Sequence, residues 1–134
     1  MQAVEKDYTA WRSAGWGGDA ASVAIIILGE DLSGAAFAWK FALAEGNAAL
    51  ITLANAAAGS QGVSATYDAA YLHPTSGAIV GATIIVPQID EATLEDAQFD
   101  GVGSLFHTLY ITPAGGKQYV ERYGTLTLRD GVPD

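Results

Sequence analysis

A regular alternation of large and small side chains over residues 35–43 constrains the fold of this chain more than any other feature. Every second position from Phe37 to Leu43 carries a large apolar side chain, whereas alanines and Lys40 occupy the positions between them. A period of two places the large side chains on one face of a β-strand and the small ones on the other. Residues 35–43 are therefore predicted to form a strand with one buried face.

Other short segments show the same preference for strands. Residues 23–28 form a β-branched run that favours a strand buried on both faces or paired centrally. Strands are also predicted at residues 49–53, 63–67, 83–86 (ending at Pro87), 105–112 and 117–129. This regular spacing predicts an all-β fold, a single antiparallel β-sandwich of about seven to eight strands that is Ig-like or jelly-roll-like.

The last predicted hairpin has the most detailed pattern. Gly115 and Gly116 can supply the positive φ of a tight turn between its strands. In the return strand Leu126 and Leu128 point to one face, and the apolar parity shifts before them. Such a shift predicts a β-bulge near residues 123–124.

Only residues 89–99 have helical character, and one short helix is predicted near residues 90–97. Asp90 is placed to cap its first turn. The length of 134 residues fits one domain. We divide it into an N-terminal arm or edge strand, residues 1–19, and a β-sandwich domain, residues 20–134. Residues 8–12 alternate weakly and could add as an edge strand, either to this chain or to a partner subunit.

The composition excludes several classes of function. The chain has no cysteine, which rules out disulfides, thiolate metal sites and a cysteine nucleophile. Its net charge of −9, with only six scattered Lys and Arg residues, argues against nucleic acid and against an anionic membrane surface as partners. The first residues lack an apolar leader, and the aliphatic run 23–28 is too short to span a bilayer. We expect a protein that is made in the cytoplasm and not secreted.

His107 is the first residue to consider for catalysis, because Ser104 and Asp100 lie close to it in sequence. Adjacent strand residues point to opposite faces, however, and the chain has no Gly-x-Ser-x-Gly element. We therefore expect His107 to share the apolar face of Leu109. The acidic residues of segment 90–96 lack the spacing and the central glycine of a calcium loop. The sequence predicts no catalytic, cofactor-binding or metal-binding residue, and no enzyme.

Several segments carry a resemblance to a known group of proteins. These are Glu-Asp-Leu-Ser-Gly at 30–34, Gln-Ile-Asp-Glu-Ala-Thr-Leu at 88–94, the hairpin 110–116, Tyr-Gly-Thr-Leu-Thr-Leu at 123–128 and the terminal Gly-Val pair at 131–132. In this order they resemble small bacteriophage virion proteins and the N-terminal domains of phage baseplate, tail-fibre and receptor-binding-type proteins. The resemblance implies a β-sandwich adaptor or decoration unit, located in the tail or on the capsid surface and present in several symmetric copies.

Two surface features point to a binding role without the resemblance. Lys40 stands among alanines on its strand face, which leaves that face flat and apolar, as in an interface. Trp16 is flanked by glycines and either docks onto a neighbour or caps the end of its own domain. His73, before Pro74, suits a surface contact or a turn. The candidate interface residues are Tyr8, Trp11, Arg12, Trp16, Lys40, Tyr71 and His73.

Three functions remain open from the sequence. The first is a phage structural protein of the tail, baseplate or fibre-attachment region, an assembly adaptor that contacts other virion proteins and copies of itself in a symmetric homo-oligomer. The second is a capsid decoration or head-fibre base protein. The third, from another class, is a free carbohydrate-binding β-sandwich in which Trp11, Trp16 and Tyr71 form a stacking platform.

Overall fold

The computed structural model describes residues 3–18 and 23–130, and over these ranges the chain forms two β-sheets around one hydrophobic core. The larger, six-stranded sheet contains β1 (Val4–Glu5), β2 (Tyr8–Trp11), β5 (Ala36–Ala42), β6 (Ile51–Ala54), β9 (Ser104–Thr112) and β10 (Tyr119–Arg129). The smaller, four-stranded sheet contains β3 (Trp16–Gly17), β4 (Ile25–Leu28), β7 (Gly62–Asp68) and β8 (Ala82–Ile89). The predicted all-β class is confirmed.

Strand order follows from the pairing registers. In the large sheet β10, β9, β5 and β6 lie side by side and antiparallel. Strands β1 and β2 run one after the other along the outer edge of β10 and parallel to it. In the small sheet β8 is central, with β7 on one side and β3 followed by β4 on the other. Strands β1 and β2 of the arm therefore pair with β10 of their own chain, and β3 pairs with β8.

The inward faces of both sheets fill the core. Trp39 and Phe41 of β5 pack there with Leu109 of β9 and Ile85 of β8, all essentially inaccessible to solvent. The alternation predicted for residues 35–43 is confirmed except at Leu43, which is 53% exposed because β5 ends at Ala42.

The run 23–28 differs from its prediction. Its strand, β4, pairs with β8 alone among the described residues, so it lies at a sheet edge and not in a central position. Only its inward residues are covered, and Ile26 and Leu28 are 45% and 37% exposed on the other face. The prediction of a strand buried on both faces was therefore wrong.

Strand β8 does not end at Pro87 but continues to Ile89. The carbonyl of Pro87 accepts a hydrogen bond from the Gly18 amide, at 2.7 Å. The proline nitrogen, which has no N–H to donate, therefore faces the same side of β8 as this carbonyl. On that side Pro87 lies between the residues paired with β4 (82–85) and those paired with β3 (88–89). A proline is tolerated there because no ladder hydrogen bond is lost.

The bulge in β10 lies between Val120 and Arg122, not at the predicted residues 123–124. Glu121 is the extra residue. Because its side chain is charged, the pattern of apolar residues could not locate the bulge at this position. Gly124 serves another purpose. Its φ is +153°, and a Cβ there would collide with the carbonyl oxygen of Lys6, so glycine lets the arm lie close against β10.

The predicted helix is present but shorter, as α1 (Glu91–Leu94) followed by a 3-10 turn (Ala97–Phe99). Leu94 and Phe99 anchor this segment in the core. The Asp90 side chain does not cap the helix, contrary to the prediction, and instead accepts a hydrogen bond from Gln88 Nε2 at 2.8 Å. The backbone carbonyl of Asp90 accepts the first-turn amide of Thr93, at 3.1 Å.

Candidate functional site

The outward face of the six-stranded sheet carries an open groove of ≈ 610 Å³. Strand β5 contributes Lys40 and Ala42 to it, as the period-two alternation predicted for this face. We call it the aromatic groove. Its lining comprises Lys40, Ala42, residues 44–49, Phe106, Thr108, Tyr110, Val120 and Tyr123.

Strand register builds the groove from residues distant in sequence. Ala42 lies opposite Phe106, and Lys40 lies opposite Thr108, in the pairing of β5 with β9. Tyr123 of β10 lies opposite Thr108 on the other side of β9. The small side chain of Ala42 on β5 forms the floor of the groove. The larger rings of Phe106 and Tyr110 on β9 and Tyr123 on β10 rise above it and form an aromatic wall.

The connection between β5 and β6 forms the second wall. Residues 44–49 turn back over the sheet, and the amide of Leu50 donates to the carbonyl of Phe41 at 2.7 Å to close the hairpin. Gly46 adopts a φ of +87°, which favours glycine at the tip. This hairpin makes a groove out of what would otherwise be a flat sheet face.

The groove holds two ionisable side chains of opposite sign, Lys40 and Glu45, in a chain of net charge −9. The Lys40 ammonium lies 5.4 Å from the centroid of the Tyr110 ring, within reach of a cation–π contact. The Phe106 and Tyr123 rings pack together with centroids 6.4 Å apart. The groove can thus accept apolar groups against rings and an acidic group at Lys40.

Trp16 lies elsewhere and is only 6% exposed. Its ring packs edge-on against Trp39 and Phe41, with centroids 5.5 and 5.7 Å away. This burial favours the alternative in which Trp16 closes its own core, and its ring is not available to a partner or to a sugar in this structure.

Tyr8, Trp11 and Arg12 lie along the arm. The guanidinium of Arg12 donates to Asp100 at 2.8 Å, to Asp130 at 3.0 Å and to the Leu94 carbonyl at 3.0 Å. The Tyr8 hydroxyl accepts from Arg122 at 3.0 Å, and its ring contacts the core. Trp11 is half-buried at the end of β2. The contacts of Tyr8 and Arg12 tie the arm to its own chain.

Tyr71 and His73 lie in the long β7–β8 connection, far from β5 in sequence and not part of the aromatic groove. His73 Nδ1 accepts hydrogen bonds from the amides of Thr75 and Ser76, at 3.1 and 3.3 Å. These bonds fit the turn role that the sequence offered for His73. The predicted interface residues are therefore not all at one place. Tyr8, Trp11 and Trp16 line a common depression, in which the Tyr8 and Trp16 rings lie 5.2 Å apart. Lys40 lies in the aromatic groove, and Tyr71 and His73 lie in this connection.

His107 is fully buried on the inward face of β9, in the orientation that its strand pattern predicts. Its Nδ1 accepts from Trp39 Nε1 at 3.1 Å, and its Nε2 lies 2.6 Å from the Lys6 carbonyl, which fixes the neutral tautomer with the proton on Nε2. Burial is the main cause that lowers the pKa of His107. Ser104 is exposed on the outward side, and Asp100 pairs with Arg12, so the three form no triad.

Within residues 3–18 and 23–130, no three His, Asp or Glu side chains come together in a way that could hold a metal ion. No helix in the described part of the chain is long and apolar enough to cross a membrane. No protein-family model matches the chain, and no curated protein is significantly similar to it.

Sequence reasoning missed the aromatic wall of the groove. Phe106 and Tyr110 alternate with Leu105, His107 and Leu109 along β9, so their outward direction was readable from the strand pattern. Their position beside Lys40 was not readable, since it depends on the pairing of β9 with β5.

Proposed function

We propose that this chain is a structural protein of a bacteriophage particle, in the tail, baseplate or fibre-attachment region. In this proposal it acts as an assembly adaptor that binds another virion protein in the aromatic groove. The observation that carries protein binding is the groove itself, in which an alanine floor, an aromatic wall and one lysine lie together. The assignment to a particle draws on the resemblance of segments 30–34, 88–94, 110–116, 123–128 and 131–132 to phage virion proteins.

The chemistry of the groove fits a protein segment well. Aromatic side chains in a concave, partly desolvated site are typical anchors of binding energy. Tyr110 and Tyr123 also carry hydroxyl groups that can hydrogen-bond a partner backbone. Lys40 and Glu45 give the groove no net charge, whereas the chain as a whole has a net charge of −9. An acidic partner is therefore repelled less at the groove than at the rest of the surface. We expect the partner to insert an apolar side chain and to place an acidic group near Lys40.

Particle incorporation tests the proposal. Particles are assembled with Lys40→Glu or Tyr110→Ala chains, and the fraction of the chain that sediments with the particles is measured. We expect each variant to reduce incorporation by about tenfold, as for loss of an interface anchor. Ile79→Ala is the control, because it removes an exposed apolar side chain that lies outside the groove and is not a candidate interface residue. Equal incorporation of all three variants, each with an unchanged melting temperature, would contradict the proposal.

A carbohydrate-binding module is a second candidate, and the same groove favours it. Phe106, Tyr110 and Tyr123 could stack on sugar rings while Thr108 and Asn47 hydrogen-bond hydroxyl groups. The platform predicted from Trp11, Trp16 and Tyr71 is not formed, because Trp16 is buried. A glycan array with the purified chain separates the candidates. The adaptor proposal expects no signal, whereas strong glycan binding that Tyr110→Ala abolishes would favour the carbohydrate module.

The capsid decoration or head-fibre base role keeps the same groove and changes only the partner. Cross-linking through a photoreactive residue at Thr52, which lies opposite Lys40 in the β5–β6 pairing, would identify that partner by mass spectrometry. A tail or baseplate protein is the expected product. The symmetric homo-oligomer and the exclusion of nucleic acid and membrane remain predictions.

A further inference from the structure

The outward face of the four-stranded sheet is chemically unlike the aromatic groove. Its central strand contributes Ile84 and Val86, and edge strand β4 contributes Ile26 and Leu28. Registers place Ile26 beside Ile84, and Ile84 beside Thr66 of β7. We call the surface formed by Ile26, Leu28, Ser64, Thr66, Ile84 and Val86 the aliphatic face.

This face is nearly free of charge although the chain carries fifteen acidic residues. Among the described strand residues that point outward from this sheet, only Asp68, at the far end of β7, is charged. Two copies of a protein with a net charge of −9 repel each other over most of their surfaces. An uncharged apolar face is the place where a second copy can approach closely at the lowest electrostatic cost.

The aliphatic face also contains a ridge and a hollow side by side. The ridge is the exposed pair Ile26 and Leu28 at the β4 edge. The hollow, of ≈ 340 Å³, has Ile84 and Val86 in its lining, together with Thr66 and the loop 58–60. Gln88 donates to the Gly59 carbonyl at 3.3 Å and so holds this loop at the rim. No ionisable side chain lines the hollow.

A ridge next to a hollow is self-complementary under a two-fold rotation. In an isologous contact, a residue i of one copy meets residue j of the other, and j meets i. Here the ridge of each copy fits the hollow of the other, which brings Ile26 of one chain to the Thr66 region of its copy. The outer edge of β4 has no strand partner among the described residues, so no neighbouring strand lies beside the ridge to block a second copy.

We propose that the aliphatic face is a homodimer interface and that its occupant is a second copy of this chain. The interface is separate from the aromatic groove, which stays free to bind a different protein. The patch is small and carries few hydrogen-bonding groups, so we expect a dissociation constant of roughly 1–100 µM.

Sedimentation velocity over a concentration series of the full chain tests this proposal. The wild type should shift from a 13.8-kDa monomer to a species of twice that mass. Ile26→Lys on the ridge and Thr66→Glu in the hollow should each weaken dimerisation by at least about tenfold. Both residues are exposed, so these changes should leave the fold intact, which circular dichroism checks. Leu43→Lys is the matched control, since it introduces the same charge at an exposed leucine outside the aliphatic face.

Mixing the two variants tests the geometry itself. In an equimolar mixture one contact pairs the introduced lysine with the introduced glutamate, and the other keeps the natural Ile26 and Thr66, so dimers should re-form. A wild type that stays monomeric up to about 300 µM, well above the expected dissociation constant, overturns the proposal. So does a dimer that neither variant weakens, or that Leu43→Lys weakens equally. Failure of the mixture to associate would overturn the ridge-in-hollow arrangement.

Discussion

His107 on the six-stranded sheet and Thr83 on the four-stranded sheet are both fully buried, and each ties a neighbouring segment to its sheet. His107 links Trp39 to the carbonyl of Lys6 in the arm. The Thr83 hydroxyl donates to the Glu30 carbonyl at 2.7 Å and accepts from the Leu32 amide at 2.8 Å. Each side chain therefore satisfies one donor and one acceptor that would otherwise be unpaired.

The difference between them is that only His107 can change its charge. The neutral imidazole matches its partners because Nδ1 accepts and Nε2 donates. A second proton, on Nδ1, would face the Trp39 N–H and break that bond. The hydroxyl of Thr83 does not titrate. The two sheets thus use the same kind of polar anchor, but only the arm on the larger sheet is held in a pH-dependent way.

The largest expected effect is that of His107→Leu. This change leaves the Trp39 N–H and the Lys6 carbonyl without partners in the core. Two unpaired polar groups should lower the free energy of unfolding by about 2–5 kcal/mol. Urea titration measures the loss, and hydrogen exchange should show faster exchange in residues 4–11 than in the rest of the chain.

His107→Gln is the matched control, because an amide can accept from Trp39 and donate to Lys6 at the same time. It should recover most of the loss. If His107→Leu and His107→Gln destabilise the chain equally, the hydrogen bonds are not what holds the arm.

Thr83→Val also unpairs one donor and one acceptor, both in the 30–32 segment, but valine preserves the shape of threonine whereas leucine does not replace the imidazole ring. Its effect should therefore be smaller, about 1–3 kcal/mol. Hydrogen exchange should now become faster at Leu32 and not in the arm. Thr83→Ser keeps the hydroxyl and serves as the control. Faster exchange in the arm of Thr83→Val would show that the two anchors are coupled and would break the comparison.

The two anchors also differ from what the sequence could predict. The inward direction of His107 follows from its alternation with Phe106 and Thr108, and that prediction is confirmed. Its partners lie 68 and 101 residues away in the chain, and only the pairing of β9 with β5 and the path of the arm bring them together. Local patterns contain no signal for such long-range contacts.

The same limit applies to the aromatic groove and to Trp16. The alternation around Lys40 predicted the β5 side of the groove, whereas the opposite wall depends on the register with β9. For Trp16 the flanking glycines fit both exposure and burial. The structure explains them differently: a Cβ at Gly17 would collide with the Pro87 carbonyl, so glycine is required by close packing against β8.

The smallest expected effect is on the pH dependence of stability. Because the pKa of folded His107 lies below the ordinary 6.5, the unfolded chain binds more protons as the pH falls through 6.5. The contribution of His107 to the free energy of unfolding is therefore fully present above pH 6.5. It is lost as the pH falls from 6.5 toward the lower pKa of the folded state, by at most about 1.4 kcal/mol per pH unit. Asp7 opposes this shift and Arg122 adds to it.

The measurement is the free energy of unfolding of wild type, His107→Gln and Thr83→Val between about pH 5 and 8, a range that brackets the ordinary histidine pKa. Burial raises the pKa of Glu121, which stabilises the folded chain as the pH falls and partly masks the histidine effect. This contribution is common to all three proteins and cancels in their differences.

We expect the Thr83→Val curve to run parallel to that of the wild type. The His107→Gln curve should approach the wild-type curve as the pH falls, because it lacks the histidine loss. Three parallel curves would mean that His107 binds protons equally in the folded and the unfolded chain, and the arm would then be held independently of pH.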